Sequence, residues 1–309
     1  MCIDWVSYEP TNNINLKALK KVIKDGQAIA FVGAGCSMPL GYPSWDGLIQ
    51  KMQDEIVKKQ PKAKDMMDML SKGIDRLYNA GECKRFMGPE YHAFMEREFK
   101  PKPSKTHTRE HEIIIELPFY NYMTSNYDIC LDYAYRYVKN SKPCCFTYND
   151  TQILAKYCRV TKKSQKKILH IHGKYDNIDK IVLTEDDYKE HYKDDFIGPL
   201  SSIITARSIV FIGSGIEDLD FLGIMKFIEH LFKGSQDSHY AIIPCLEDSY
   251  AGYEAGRLKS KYNIVPVFYK LDKYNPLGEH VERKYMLNEI LSYCRGTKTV
   301  KAPSTPKSK

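Results

Sequence analysis

The stretch that most constrains this chain is Ala28-Ile29-Ala30-Phe31-Val32 followed by Gly33-Ala34-Gly35-Cys36-Ser37. Five apolar residues running into a glycine pair read as a buried strand entering a tight loop. Gly41-Tyr42-Pro43-Ser44-Trp45 then leads into a helical pattern. Gly33 and Gly35 put no side chain between backbone N–H groups and an incoming ligand, and a helix start favours anions. Such a loop suits a phosphate; a plain turn between strand and helix is the alternative. The dehydrogenase fingerprint is incomplete, because Met38 stands where its third glycine or alanine belongs. The loop therefore points to a nucleotide but not to hydride transfer.

Composition narrows the class. A chain of 309 residues can bury a sizeable core, and 43% hydrophobic residues is ordinary for a globular protein. No run approaches the roughly 18 apolar residues of a membrane span, and the start has no signal-peptide layout. The nine cysteines are scattered, with only Cys144-Cys145 adjacent and no CxxC pair. That predicts reduced thiols in a cytoplasm, with neither a disulfide framework nor a four-cysteine zinc site. The net charge of +7 is mild, and no basic-aromatic motif indicates nucleic acid. Residues 297–309, rich in Lys, Ser, Thr and Pro, read as a disordered tail behind a domain at 1–296.

Along the chain, residues 15–25 carry a helical pattern closed by Gly26. Ser44 suits the N-cap of a helix running to about Lys58, with Asp46 in its first turn. From 62 to 98 the pattern stays helical, with loops expected around Gly81, Gly88-Pro89 and 101–103. A helical insertion over about 51–116 results. Its Met66, Met67, Met69, Phe94 and Met95 read as core packing, with an interface role as the alternative. Further strands are predicted at 119–124, 167–171, 208–212, 239–243 and 263–268, with helices at 129–138 and 281–293. The repeated order of strand, short turn and helix predicts an α/β fold: a Rossmann-like parallel sheet with helices on both faces.

Four of these strands end in polar or glycine loops that can meet at one sheet edge, where open parallel sheets bind ligands. Asn126 brings an uncharged carboxamide there, and His172 a group that can take a proton near neutrality. Each has a structural alternative. Asn126 can close a turn, His172 can be a satisfied core histidine, and Asp128 can cap the helix behind it. His170 shares the period-2 face of His172 but lies further back from the strand end.

These residues resemble those of sirtuins. Gly33-Ala34-Gly35-Cys36-Ser37 is similar to their GAGxS loop and Thr124-Ser125-Asn126-Tyr127-Asp128 to their TxNxD motif. His172-Gly173 matches the catalytic HG, and Gly213-Ser214 the later glycine-serine loop. Pro118-Phe119, Val182-Leu183-Thr184 with Tyr188, and Ile212 to Gly215 with Asp218 and Asp220 resemble the bacterial sirtuin-like NAD hydrolases of antiphage defence. The resemblance assigns Asn126 and His172 to catalysis, and Gly33, Ala34, Gly35, Cys36, Ser37, Asp128, Gly213 and Ser214 to NAD. Trp45 keeps the aromatic of the family's Pro-x-Phe-Arg element, while Asp46 replaces its cation. The paired CxxC motifs of deacylating sirtuins are missing.

The expectation is an NAD glycohydrolase, with NAD as substrate, no metal, and a role as toxic effector in antiphage defence. A sirtuin-like deacylase or ADP-ribosyltransferase, and a non-catalytic NAD or ADP-ribose sensor, are the alternatives. Backbone N–H groups of Gly33 to Ser37 are expected to hold the pyrophosphate without any lysine. A homo-oligomer controlled by a partner is expected, and the resemblance suggests a HerA-type ATPase for that role.

Overall fold

The computed structural model describes residues 5–73, 75–103, 105–150, 157, 165–191, 194–214, 238–245, 251–271 and 280–297. Gly215, Asp218, Asp220 and the tail from 298 onward lie outside that set. Seven strands form one parallel sheet: β1 (Ala28–Val32), β2 (Tyr122–Thr124), β3 (Cys144–Thr147), β4 (Lys167–His170), β5 (Ser208–Ile212), β6 (His239–Cys245) and β7 (Ile264–Lys270). Their order is β3-β4-β2-β1-β5-β6-β7. The chain therefore leaves β1 in opposite directions toward β2 and β5, which makes the carboxyl end of β1 a topological switch point.

A parallel sheet buries both faces, so its central strands must be apolar throughout. β1 is fully buried, and its residues alternate between two cores. Ile29 and Phe31 join Leu169, Phe211 and Ala241 beneath α9 (Asp194–Ala206) and α10 (Ala251–Tyr262). Ala28, Ala30 and Val32 join Ile168, Val210 and Ile242 on the opposite face. That face is covered by α1 (Trp5–Lys24), α6 (Arg109–Glu116), α7 (Cys130–Lys139) and α11 (Val281–Arg295). The fold is the expected Rossmann-like α/β sandwich with a helical insertion.

The insertion has a core of its own. In α2 (Trp45–Lys59), α3 (Lys64–Ser71), α4 (Arg76–Met87) and α5 (Glu90–Phe99), residues Leu48, Met52, Leu70, Phe94 and Met95 pack together. They close on Tyr127, Cys130 and Leu183, so the insertion sits on the loops that follow β2 and β4. Ser44 caps α2 as expected, its Oγ accepting from the Gly47 amide at 3.1 Å. Met67 and Phe94 are buried and Met69 is exposed, so only part of the methionine set is core. α6, at the end of the 51–116 segment, packs on the sheet rather than with the insertion.

Several expectations are corrected. Gly81 lies inside α4, not in a loop. β2 is only three residues long: Phe119 N turns back to Leu117 O, while Tyr120 N still reaches Ala28 O of β1 at 2.7 Å and the Asn121 side chain takes the first amide of β4, Lys167 N, at 2.9 Å. The edge strand β3 has no counterpart in the sequence reading. Neither do α8 (Glu185–His191), α9 and α10.

Candidate active site

The carboxyl ends of β4, β2, β1, β5, β6 and β7 surround a cleft of about 370 Å³. Gly33, Ala34, Gly35, Trp45, Asn126, Asp128, His172, Gly213 and Ser214 all line it. Cys36 and Ser37 do not; both are fully buried behind the loop.

The glycine loop is built differently from the expected amide cradle. Gly33 N donates to Ile212 O at 2.9 Å, and Gly35 N to Gly213 O at 2.8 Å. Cys36 N and Ser37 N donate to Gly33 O and Ala34 O, so four of the five amides from Gly33 to Ser37 are spent inside the protein. The glycines serve a close approach of two loops. A Cβ at Gly33 would lie 2.5 Å from the Ser214 Cα, and one at Gly213 2.5 Å from Cys36 Sγ. The β1 and β5 loops thus interlock backbone to backbone, a contact that any side chain would block.

The β2 loop is set by Thr124, whose Oγ1 donates to Val32 O at 2.7 Å and accepts from Asn126 N at 3.0 Å. One hydroxyl ties β2 to β1 and aims the turn. Asn126 Nδ2 points to Ser37 Oγ at 3.4 Å. Behind Ser37 stands His111, with its Nε2 at 3.5 Å. Thr108 N donates to His111 Nδ1, which leaves the proton on Nε2, facing Ser37. Burial holds the His111 imidazole down at about 3, with His107 and Arg283 adding to the shift. Asp128 does cap the start of α7, its Oδ1 accepting from Cys130 N at 2.9 Å, yet it also faces the cleft. Burial raises its carboxyl, and bonds from Cys130 and Ser37 partly offset this.

His172 follows the end of β4 and is held by its own backbone. Its carbonyl accepts from Val182 N at 3.0 Å. The next residue, Gly173, has φ +80°, and a Cβ there would sit 2.3 Å from Lys180 O. Only glycine lets the chain turn that tightly against Lys180 and leave the imidazole at the cleft. Its Nε2 lies 3.1 Å from the Tyr188 hydroxyl on α8. His170, by contrast, is absent from the lining. It is fully buried, with Nε2 3.0 Å from Asp132 Oδ2. Asp132 Oδ1 in turn accepts from Cys145 Sγ at 2.9 Å. These three groups could in principle ligate a metal. Asp132 stands at hydrogen-bond length from both His170 and Cys145, however, closer than the roughly 3.4 Å between donor atoms around a tetrahedral zinc.

Sequence reasoning missed the wall opposite. Arg283 of α11 and Tyr269 and His280 line it, and Arg283 donates to Gly35 O at 2.9 Å. Glu110 of α6 holds the guanidinium through both carboxylate oxygens. At the rim Arg76 of α4 pairs with Asp46 of α2 at 3.0 Å.

A family model described as a SIR2-like domain matches residues 121–267, a span that holds Asn126, His172 and Gly213. That segment is SIR2-like. Similarity to curated proteins extends beyond it. The chain is 25% identical over 289 residues to NAD(+) hydrolase ThsA of Bacillus cereus (strain MSX-D12), covering 89% of this chain and 57% of that protein. ThsA of Enterococcus faecium is 25% identical over 282 residues, covering 89% and 52%. Defense-associated sirtuin 2 of Bacillus subtilis is 26% identical over 230 residues, 71% of this chain and 21% of that protein. The chain spans about half the length of the ThsA relatives it matches. The SIR2-like domain thus contributes the β2, β4 and β5 loops, while the glycine loop and Arg283 lie outside the matched span. Among the described residues no helix is long and apolar enough to cross a membrane.

Proposed function

We propose that this chain hydrolyses NAD to nicotinamide and ADP-ribose, with residues 1–296 acting as one catalytic unit. The observation that carries the reading is the convergence of Asn126 and His172, from adjacent strands, on the cleft bounded by the two glycine loops. The names of the ThsA relatives support the same reaction. Cleavage of the nicotinamide–ribose bond builds positive charge on an oxocarbenium-like ribose. The electron pair of the broken C–N bond leaves with nicotinamide, and water adds its oxygen to the anomeric carbon.

His172 accepts the proton that this water loses. Its Nε2 pairs with the Tyr188 hydroxyl, which fixes the ring where it lines the cleft. With Nδ2 of Asn126 engaged by Ser37, Oδ1 is the atom that holds the water or a ribose hydroxyl. Asp128, Trp45, Gly33 to Gly35, Gly213 and Ser214 bound the dinucleotide, while Cys36 and Ser37 support the loop from behind. No step needs a metal.

Defence is the setting that the name of the Bacillus subtilis relative suggests; we place the chain in defence against phage, and an effector of that kind needs control. A cytoplasmic homo-oligomer regulated by a partner such as a HerA-type ATPase is the arrangement we propose. Exposed Met69 and Tyr78 on the insertion are available to it.

Incubating the purified chain with NAD, with and without an acetylated peptide, tests the reaction. Free nicotinamide released without peptide is the expected result. Release only with peptide would replace the proposal by deacylation, and binding without release would make the chain a sensor.

A further inference from the structure

The glycine loop leaves a problem that the NAD reading must solve. A diphosphate lying over it carries two negative charges, and four of the five loop amides are already bonded within the protein. The arginines among the described lining residues are Arg76 and Arg283. Arg76 sits at the exposed rim, held by Asp46. Arg283 is only 4% exposed and stands directly beside the loop.

Its placement is fixed on two sides. Nε and Nη2 bond Glu110, itself 6% exposed, and Nη2 also bonds Gly35 O. A guanidinium has five N–H donors; these bonds account for three, and the Tyr269 hydroxyl also bonds the group. The remaining edge, Nη1, lies over Gly35, 3.3 Å from where a Cβ there would stand. The glycine thus clears the space next to Nη1. A latch between α11 and α6 would need the Glu110 pair but would not need to line the cleft.

We propose that Arg283, clamped by Glu110, is the cation that binds the ligand's diphosphate at the glycine loop. The assignment rests on the NAD reading and adds a specificity to it: the site selects ligands with a diphosphate over their phosphate-free parts. Arg283 binds substrate and takes no part in proton transfer, so its loss acts on affinity rather than turnover.

Binding of ADP-ribose and of adenosine to the full chain, measured by calorimetry, tests this. Two variants are used, because removing the arginine alone would strand the Glu110 carboxylate. R283K keeps a charge for Glu110 but loses the fork, and the double variant E110Q/R283Q removes both charges. ADP-ribose should bind about tenfold more weakly to R283K and about 10–100-fold more weakly to the double variant, the range for charge-assisted hydrogen bonds. Adenosine binding should stay at its wild-type value in both variants, while the lost Glu110 and Gly35 bonds should lower the melting temperature of R283K without touching that selectivity. Unchanged ADP-ribose affinity overturns the assignment while leaving the NAD reading intact. Equal weakening of both ligands overturns it too, in favour of a purely structural latch. A wild-type chain that binds neither ADP-ribose nor NAD overturns the NAD reading itself, and this proposal with it.

Discussion

The two halves of the cleft are built on opposite principles. On the β1–β5 side the signature residues are bonded to one another: Gly33 to Ile212, Gly35 to Gly213, and Gly213 packed against Cys36. On the β2–β4 side Asn126 and His172 are bonded to side chains, Ser37 and Tyr188, and both line the cleft. The same kind of motif, a few polar or glycine residues after a strand, is therefore scaffold in one half and chemistry in the other. Substitutions should separate the halves, because scaffold changes move stability and chemical ones move rate.

The largest expected effect falls on the chemical side. His172→Ala should lower NAD cleavage by about 10²–10⁴, the usual worth of a general base, with ADP-ribose still bound and the melting temperature little changed. His170→Ala is the contrast. Burial pushes the Asp132 carboxyl up, but His170 beside it more than offsets this and, with Cys145, holds it below its ordinary range; the substitution leaves Asp132 Oδ2 without that partner. An unsatisfied buried group costs at least about 1–3 kcal/mol, so His170→Ala should melt early and, where folded, keep its turnover. Rates that fall equally in both variants would mean that the base is not His172.

On the scaffold side, Gly33→Ala places a methyl 2.5 Å from the Ser214 Cα and 2.6 Å from Gly213 O. Both obstacles are backbone, which cannot rotate away, so about 1–3 kcal/mol of stability should be lost in denaturant unfolding. Gly256→Ala makes the control, since a Cβ there meets nothing within 4 Å inside α10 and should stabilise the helix slightly. If Gly33→Ala instead keeps full stability and loses only ADP-ribose binding, the glycine exists for the ligand, as the bare sequence suggested.

That reversal shows what the sequence carried. Strands β1, β5, β6 and β7 were legible because burial on both faces demands unbroken apolar runs. β3 was not, since Cys144, Cys145 and Thr147 are only half-buried at the sheet edge. α9 was hidden by Gly198-Pro199 within it. The positions of the glycines were legible but their purpose was not, because the contact that requires them comes from residues about 180 positions away. Arg283 and Glu110 were invisible for the same reason: neither belongs to a local pattern, and their pairing joins elements 173 residues apart. The roles of Thr124 and Tyr188 likewise follow only from what they bond.

The smallest expected effect tests whether the two halves communicate. His111 is the physical link: Ser37 Oγ lies between its Nε2 and the Nδ2 of Asn126. In the folded chain the ring stays neutral down to about pH 3, whereas in the unfolded chain it takes a proton near 6.5. The folded value is depressed, so the stabilisation is complete above 6.5 and is lost as pH falls toward 3. The slope is about 1.4 kcal/mol per pH unit in that window. His239, held by burial near 4, adds to the slope in the upper part of the same window. His111→Gln should remove one proton from this dependence, measured as unfolding free energy at pH 7.5, 6.5 and 5.5. Both links through Ser37 are long, 3.5 and 3.4 Å, and bonds of that length couple weakly. Turnover in His111→Gln should therefore change by less than about threefold at pH 7.5. A tenfold loss of turnover there would show that the scaffold half orients Asn126, and that the division between the two halves is not clean.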